Sequence, residues 1–475
     1  MKDNLILSKI TDDKLLGGLL VSSFGEASCI SRFESYLYRK TSSYKPSKYL
    51  ISKLRNYEHL HQSCGPNTKS YNETMKEGAQ FEKHDVDSRC KYVIWIAENG
   101  LGNRMLSMVS TFLYAILTDR LVIVRFDDDM SNLFCEPFPN SSWLLPKNSP
   151  FSNDLKQFKT FESMLTNNNE NNSQELLPSI IFLTLMNYNL GDTRFHCDQN
   201  QDLLQKIPIL ILQADQYFAP TFFMISSFRQ DLNKMFPDKD TIFHHLGRYL
   251  FHPSNEVWEG IRKYYETHLG KENEKIGVQI RVFNAEQTPE IIISETISCI
   301  HQNKLLTKFN MQSSMNPPLE KNTSKVVLVV SLYSKYGESL KSIYESNTSL
   351  STGIIKVYQP SHEENQKLGD NMHNIKAWIE IYLLGLCDAL VTSSWSTFGY
   401  VANGLAGLKP LILQNVHGKI VPNPPCQQNN LEPCLHIPPK YDCRTNTPFN
   451  DTFTFYNTKH CEDYPGGIKI INMYD

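Results

Sequence analysis

Two blocks of this chain alternate short apolar runs with longer helical stretches, and that alternation limits the folds open to it more than any other feature. In the first block a β-rich run at 92–96 is followed by a Gly-containing turn, an apolar helix over 105–117 and a second run at 121–126. Further runs come at 180–185 and 207–212. The second block has runs at 276–283, 326–332, 354–358, 389–392 and 410–414, with helical stretches at 336–344, at 372–386 and from Phe398 onward. Strand, helix and strand joined by short connections form a parallel βαβ unit. The pattern therefore predicts an α/β protein with two Rossmann-like domains facing each other across a cleft. At 475 residues the chain exceeds what one hydrophobic core usually serves, which agrees with two domains. Residues 1–85 are polar, with helical spacing at 49–61, and read as an N-terminal lead-in or stem. Residues 86–255 are expected to form the N-terminal domain, and 256–475 the C-terminal domain with a Cys-rich tail. The helical stretch 256–269 and the charged turn 270–275 make the passage between them. Residues 151–177, rich in Asn, read as a solvated loop. Open parallel sheets bind ligands at the carboxyl ends of their strands, so the site is expected in the cleft.

Charge and composition exclude several classes. With 47 Lys+Arg against 50 Asp+Glu and a formal charge of -3, the chain lacks the basic surplus that holds phosphate backbones, and nucleic acid is not an expected partner. No run of about 18 apolar residues is present, so no membrane span is predicted, and Asp3, Asp12 and Asp13 do not make a signal peptide. The 11 cysteines contain no Cys-x-x-Cys pair. Disulfides are expected, above all among Cys426, Cys434, Cys443 and Cys461 in the Pro-rich tail, and the odd total leaves one thiol over. Sequons at Asn72, Asn140, Asn171, Asn322, Asn347 and Asn450 are no more than this Asn-, Ser- and Thr-rich composition produces by chance.

Two segments lie where a strand gives way to a helix. In Gly100-Leu101-Gly102-Asn103-Arg104 the glycines allow a tight turn and a close approach to a ligand, and the helix N-terminus offers unpaired N–H groups to an anion. The third glycine of a dinucleotide site and the Lys-Ser/Thr of a P-loop are absent, and a plain tight turn is the competing reading. Ser393-Ser394-Trp395-Ser396-Thr397-Phe398-Gly399 brings four hydroxyls and a glycine to another helix start, which suits a diphosphate. Ordinary N-capping accounts for one of the four. Gln279-Ile280-Arg281 lies in the run 276–283. Arg281 either pairs with a carboxylate or leaves the strand end as a bidentate phosphate ligand. Asp-x-Asp occurs at Asp85/Asp87, Asp127/Asp129 and Asp238/Asp240 without further oxygen ligands nearby, and no metal site is assigned. His244, His245, His301, His436 and His460 lack His-x-x-x-His spacing and are left structural.

With these residues in view the chain resembles the plant xyloglucan α-1,2-fucosyltransferases, a group of Golgi enzymes, along nearly its whole length. The likeness is carried by Asp13-Lys-Leu-Leu-Gly-Gly-Leu-Leu20, Tyr49-Leu-Ile-Ser-Lys-Leu-Arg55, Gly100-Leu-Gly-Asn-Arg104, Leu133-Phe-Cys-Glu-Pro-Phe138, Ile276-Gly-Val-Gln-Ile-Arg-Val-Phe283, Tyr358-Gln-Pro-Ser-His-Glu-Glu364, Trp395-Ser-Thr-Phe-Gly-Tyr400 and His460-Cys-Glu-Asp463. The resemblance implies a GT-B-type fold, with 86–255 as the acceptor-side and 256–475 as the GDP-fucose-binding Rossmann-like domain, and transfer of L-fucose from GDP-fucose to O2 of a terminal β-galactose, with inversion and without an essential metal or other cofactor. Xyloglucan is the favoured acceptor; an arabinogalactan-protein acceptor and a catalytically silent sugar-binding relative are the alternatives. Arg281 is then the catalytic candidate on the diphosphate. Further donor contacts are expected from Gly102, Asn103, Arg104, Gln279 and the segment Ser393 to Gly399. Gln359, Ser361, His362 and Glu363, after another strand, would read the guanine. Asp215, just past the run 207–212, would accept a hydrogen bond from the acceptor hydroxyl, with turn-capping as its alternative. Tyr217 and Phe218 would stack on the sugar. The implied partners are GDP-fucose, a galactosylated polysaccharide, and a second copy of the chain or other Golgi glycosyltransferases. The implied compartment is the Golgi lumen, with the family's anchor expected to lie outside this chain.

Overall fold

Four parallel strands, β1 (Lys91–Ile96), β2 (Arg120–Arg125), β3 (Ile180–Thr184) and β4 (Ile209–Gln213), form the first sheet of the computed structural model, in the order β2-β1-β4-β3. The structure describes residues 13–79, 90–151, 155, 157–170, 177–186, 190–282, 289–306, 324–346, 355–414, 420–448 and 454–472. Helix α1 (Lys48–Cys64) precedes β1, α2 (Leu101–Leu117), β2, β3 and β4. Helix α3 (Ile242–Leu250) ends this half, and α4 (Asn255–Tyr264), packed against α7 (Asn371–Gly385), leads out of it with a π-helical turn, Tyr265–Leu269. The second sheet contains β5 (Glu274–Ile280), β6 (Lys325–Ser331), β7 (Ile355–Tyr358), β8 (Ala389–Thr392), β9 (Leu411–Leu413) and β10 (Cys426–Gln428). Their order is β10-β9-β8-β5-β6-β7, parallel except for the edge strand β10. Its helices are α5 (Pro289–Gln302), α6 (Ser334–Ser346), α7 (Asn371–Gly385) and α8 (Thr397–Ala406).

Both faces of each sheet are covered, which is why the strands read as continuous apolar runs. On β1, Val93 and Trp95 enter the large central cluster while Tyr92 and Ile94 enter a separate outer one. The central cluster runs without a break from the first sheet to Val326, Leu328 and Val330 of the second. Helix α2 lies inside this shared core, packed against α3 and α8 as well as its own sheet. A helix walled in on all sides must be mainly apolar, and the exceptions within 105–117, Ser107, Ser110 and Thr111, donate their hydroxyls to carbonyls of their own helix.

Three expectations change. Residues 13–79 are no free lead-in: Leu50, Leu54 and Tyr57 of α1 are buried in the central cluster, and the Tyr57 hydroxyl accepts from the Val122 N–H at 2.7 Å. The Asn-rich region holds a helix, Phe161–Glu170, whose Phe161, Met164 and Leu165 are buried; these three apolar residues at helical spacing were outweighed by the asparagines that follow them. The tail is stapled to the body more than to itself. Cys434–Cys461 lies within it, but Cys443 bonds Cys197 of the first half and Cys426 bonds Cys299 on α5. Cys29–Cys135 and Cys64–Cys90 complete the disulfides of the described residues, and Cys387 is a buried free thiol. No helix among the described residues is long and apolar enough to cross a membrane.

Candidate active site

In the second sheet, β5 turns to β6 on one side while β8 lies on the other, so the crevice at the carboxyl ends of β5 and β8 is the topological switch point where such sheets bind nucleotides. Arg281 is the first residue beyond β5, not within it as the apolar run suggested, because ladder pairing stops at Ile280. Its N–H donates to Ser393 Oγ, just beyond β8, at 2.9 Å, and its Nη2 donates to Gln366 Oε1 at 2.9 Å. Burial pulls the guanidinium below its ordinary value, though an arginine keeps its charge.

The first sheet has a matching pair. Asn99 follows β1 and Asp215 follows β4, its neighbour, and Asn99 Nδ2 donates to Asp215 Oδ2 at 2.7 Å. Asn103 Nδ2 donates to the Asp215 carbonyl at 2.9 Å. Each loop carries one residue in the left-handed region just before its helix: Asn99 at φ 60° and Trp395 at φ 54°. Asparagine tolerates this conformation; tryptophan does so only where its surroundings hold it. Here Trp395 stacks on Tyr464 at 5.2 Å, and its N–H donates to Asp463 Oδ2 at 3.1 Å.

The two mouths meet. Helices α2 and α8 bring their N-termini together, with Thr397 Oγ1 donating to Asn103 Oδ1 at 2.9 Å. Gly102 makes this approach possible, since a Cβ there would lie 2.8 Å from Thr397 Oγ1 and 3.0 Å from the Phe398 N. Between them lies a cavity of about 420 Å³ whose wall includes Gly102, Asn103, Gln279, Arg281 and Gln366. Two helix N-termini and a guanidinium thus converge on one space, an arrangement that holds an anionic ligand.

Other expected residues divide. Ser361, Glu363 and the stretch Trp395, Ser396, Thr397 and Phe398 line the cavity. Ser396 Oγ caps the Gly399 N–H at 3.5 Å, the N-capping role. Arg104 does not face the cavity: its Nη1 pairs with Asp129 Oδ2 at 2.6 Å and its Nε holds the Asn99 carbonyl. That ion pair gives Asp129, of the Asp127/Asp129 pattern, a structural role. Asp240, from the third pattern, accepts from Asn472 Nδ2 at 3.0 Å, and Asp85/Asp87 lie outside the described residues. Gln359 is turned away, its Nε2 donating to the carbonyls of Ser331 and Tyr333. His362 is exposed and off the wall, and Ser393, Ser394 and Gly399 sit behind it. Asp215 stands behind Asn99 and Asn103, with Oδ1 buried and without a hydrogen bond among the described residues. Burial raises its carboxyl, against the Asn99 hydrogen bond that lowers it. Tyr217 and Phe218 are core residues, 0% and 1% exposed. Tyr217 donates to Glu432 Oε2 at 2.6 Å, so neither ring can receive a sugar.

Comparison with known proteins is decisive here, because residues 7–444 match the family described as Xyloglucan fucosyltransferase. The chain belongs to the xyloglucan fucosyltransferase family. It is 44% identical over 474 residues to galactoside 2-alpha-L-fucosyltransferase of Pisum sativum, covering 98% of this chain and 83% of that protein. The Arabidopsis thaliana protein of the same name is 45% identical over 471 residues, 98% of this chain and 84% of that one. Among solved structures, an arginine-to-lysine variant of Arabidopsis thaliana FUT1 in complex with GDP is similar at 45% identity and TM-score 0.87, covering 97% of this chain and 100% of that chain. As a family member the protein is a glycosyltransferase with the GT-B arrangement of two facing parallel sheets.

One face of α7 also belongs to this fucosyltransferase site and was missed from sequence. His373, Lys376, Ala377 and Glu380 line the cavity at i, i+3, i+4 and i+7, a helical stripe whose polar members were the available signal. Glu363 accepts from Lys376 and from His373 Nδ1 at 3.0 Å, and these partners hold its carboxyl down at about 2. Glu380 is buried, with Oε1 taking both the Ser361 N–H at 3.1 Å and its hydroxyl at 2.7 Å.

Proposed function

We propose that this enzyme moves L-fucose from GDP-fucose to O2 of a terminal β-galactose on a plant cell-wall polysaccharide side chain, xyloglucan first, inverting the anomeric centre. The observation that carries this reading is Arg281 at the switch point, facing the converged N-termini of α2 and α8. The galactose linkage is supported by the names of the relatives.

In an inverting displacement the acceptor O2 forms a bond to fucose C1 as the bond from C1 to the diphosphate oxygen breaks, through an oxocarbenium-like sugar. Arg281 and the helix amides oppose the charge that develops on the departing GDP; a charge-assisted contact of this type contributes about 1.5 to 3 kcal/mol. The Ser361 and Glu363 end of the cavity lies beyond β7, two strands from β5. At about 4.8 Å per strand this is roughly 10 Å from the end of β5, room for a nucleoside beside its phosphates. Asp215, behind the wall, orients Asn99 and Asn103 on the acceptor side, and the proton leaving O2 passes to solvent water. Neutralisation by a guanidinium and helix dipoles needs no metal, and Asp129 is already held by Arg104. Five disulfides among the described residues support an oxidising compartment, in keeping with the Golgi lumen.

The test is incubation with labelled GDP-fucose and either galactosylated xyloglucan or arabinogalactan, with and without EDTA. Label on O2 of xyloglucan galactose, undiminished by EDTA, is expected. Transfer to arabinogalactan alone would move the acceptor, loss under EDTA would restore a metal, and no transfer to either would leave a sugar-binding protein.

A further inference from the structure

A second cavity, of about 50 Å³, lies away from the active site, where the N-terminal segment meets helices of both halves. Its polar wall comprises Ser35, Arg39 and Lys40 from that segment, Arg248 from α3, His252, and Tyr382 from α7. Two of its cations have their own carboxylates. Arg39 Nη1 pairs with Asp13 Oδ1 at 2.8 Å, and Lys40 with Asp388 Oδ1 at 2.6 Å.

Arg248 has no such counterion among the described residues. Its Nη1 donates at 3.2 Å to His244 Nε2. That ring is neutral: its Nδ1 donates to the Gly404 carbonyl at 2.7 Å, and burial and the guanidinium of Arg248 hold it well below its ordinary value. The wall therefore carries one positive charge more than its carboxylates cancel. His252 adds an unused group. It is only 5% exposed, and its Nε2 is buried with no hydrogen-bond partner among the described residues. A buried polar atom without a partner is costly, and so is a cation with no counterion.

We propose that this cavity binds one small monovalent anion, of chloride size and charge, between Arg248, Arg39 and His252, and so ties residues 16–40 to both halves of the enzyme. The charge balance calls for a single negative charge. The volume holds about three or four waters at roughly 10 to 15 Å³ each, which admits a halide with part of its hydration and excludes a nucleotide. Burial and neighbouring Arg39 push Arg248 down to about 9, the response of a guanidinium that a nearby anion would relieve.

The test compares thermal unfolding of the full chain in sodium chloride, sodium bromide and sodium gluconate at matched ionic strength, with Arg248→Met beside the wild type. A saturable rise in Tm of about 2 to 4 °C in the halides over gluconate is expected, and Arg248→Met should lose it while keeping its Tm in gluconate. Equal melting in all three salts, or a halide-specific rise that survives in Arg248→Met, would overturn the proposal. Should the variant fold poorly, bromide-soaked crystals of the wild type decide: an anomalous peak beside Arg248 supports the site, and a cavity holding only water removes it.

Discussion

Thr397 Oγ1 lies 2.9 Å from Asn103 Oδ1, so the first turns of helices from opposite halves are pinned to one another at the edge of the cavity. Distance alone would let this bond form only if nothing projected from Gly102. A methyl group there would sit 2.8 Å from the Thr397 hydroxyl and 3.0 Å from the backbone of Phe398. Gly102→Ala should therefore spread the two N-termini, weaken GDP binding at least tenfold and lower kcat. The cost in stability is about 1 to 3 kcal/mol of overpacking. Calorimetric titration with GDP checks the first effect; unchanged affinity would mean that the helix mouths do not form the diphosphate site.

Arg281 is held at its N–H by Ser393 and at its guanidinium by Gln366. Lysine keeps the charge but loses the planar fork. Arg281→Lys should lower kcat by about a hundredfold, as the loss of one preorganised donor does, with KM for the donor changed less. Single-turnover transfer from labelled GDP-fucose measures this, and a rate within threefold of wild type would take Arg281 off the leaving group.

Sequence alone located the strands, because burial on both faces of a parallel sheet leaves uninterrupted apolar runs such as 92–96 and 326–332. It also exposed the helix mouths, since Gly100 to Arg104 and Ser393 to Gly399 are local signatures. It failed where a side chain's direction depends on distant partners. Arg104 at a helix mouth looks like an anion ligand until Asp129, 25 residues on, is seen against it. Tyr217 and Phe218 follow a strand end as an acceptor platform would, yet Glu432 and the central core claim them. Glu380 shows in sequence only as one polar member of the α7 stripe; its burial against Ser361 does not, because that partner lies 19 residues earlier and on a different element.

The Glu380 carboxyl has a pH signature. Burial raises it from 4.5 to about 7, against the two Ser361 hydrogen bonds that lower it. A folded-state value above the unfolded one means that the native protein holds the proton more tightly. Its stabilising contribution is complete below pH 4.5 and is lost as pH climbs through 7. Glu380→Gln keeps an oxygen for Ser361 and cannot ionise. It should match wild type in urea unfolding near pH 4.5 and exceed it at pH 8 by up to about 3 kcal/mol. An equal difference at both pH values would show that Glu380 does not titrate in this window.

Cys197 and Cys443 join the first half to the tail across 246 residues of sequence. In the unfolded chain the effective loop is shorter, because Cys299–Cys426 lies within it and bypasses most of that length. About 120 residues remain to be closed, for which the chain-entropy relation gives about 5 kcal/mol as an upper value. The double substitution Cys197→Ser with Cys443→Ser should therefore cost about 2 to 5 kcal/mol in denaturant unfolding, while GDP affinity stays near wild type, since neither cysteine lines the cavity. Cys387→Ser serves as the contrast: its thiol closes no loop, so any loss there reflects packing alone. If the two changes cost the same, the bridge contributes no more than its burial, and the tail's attachment rests on contacts such as the one between Tyr217 and Glu432.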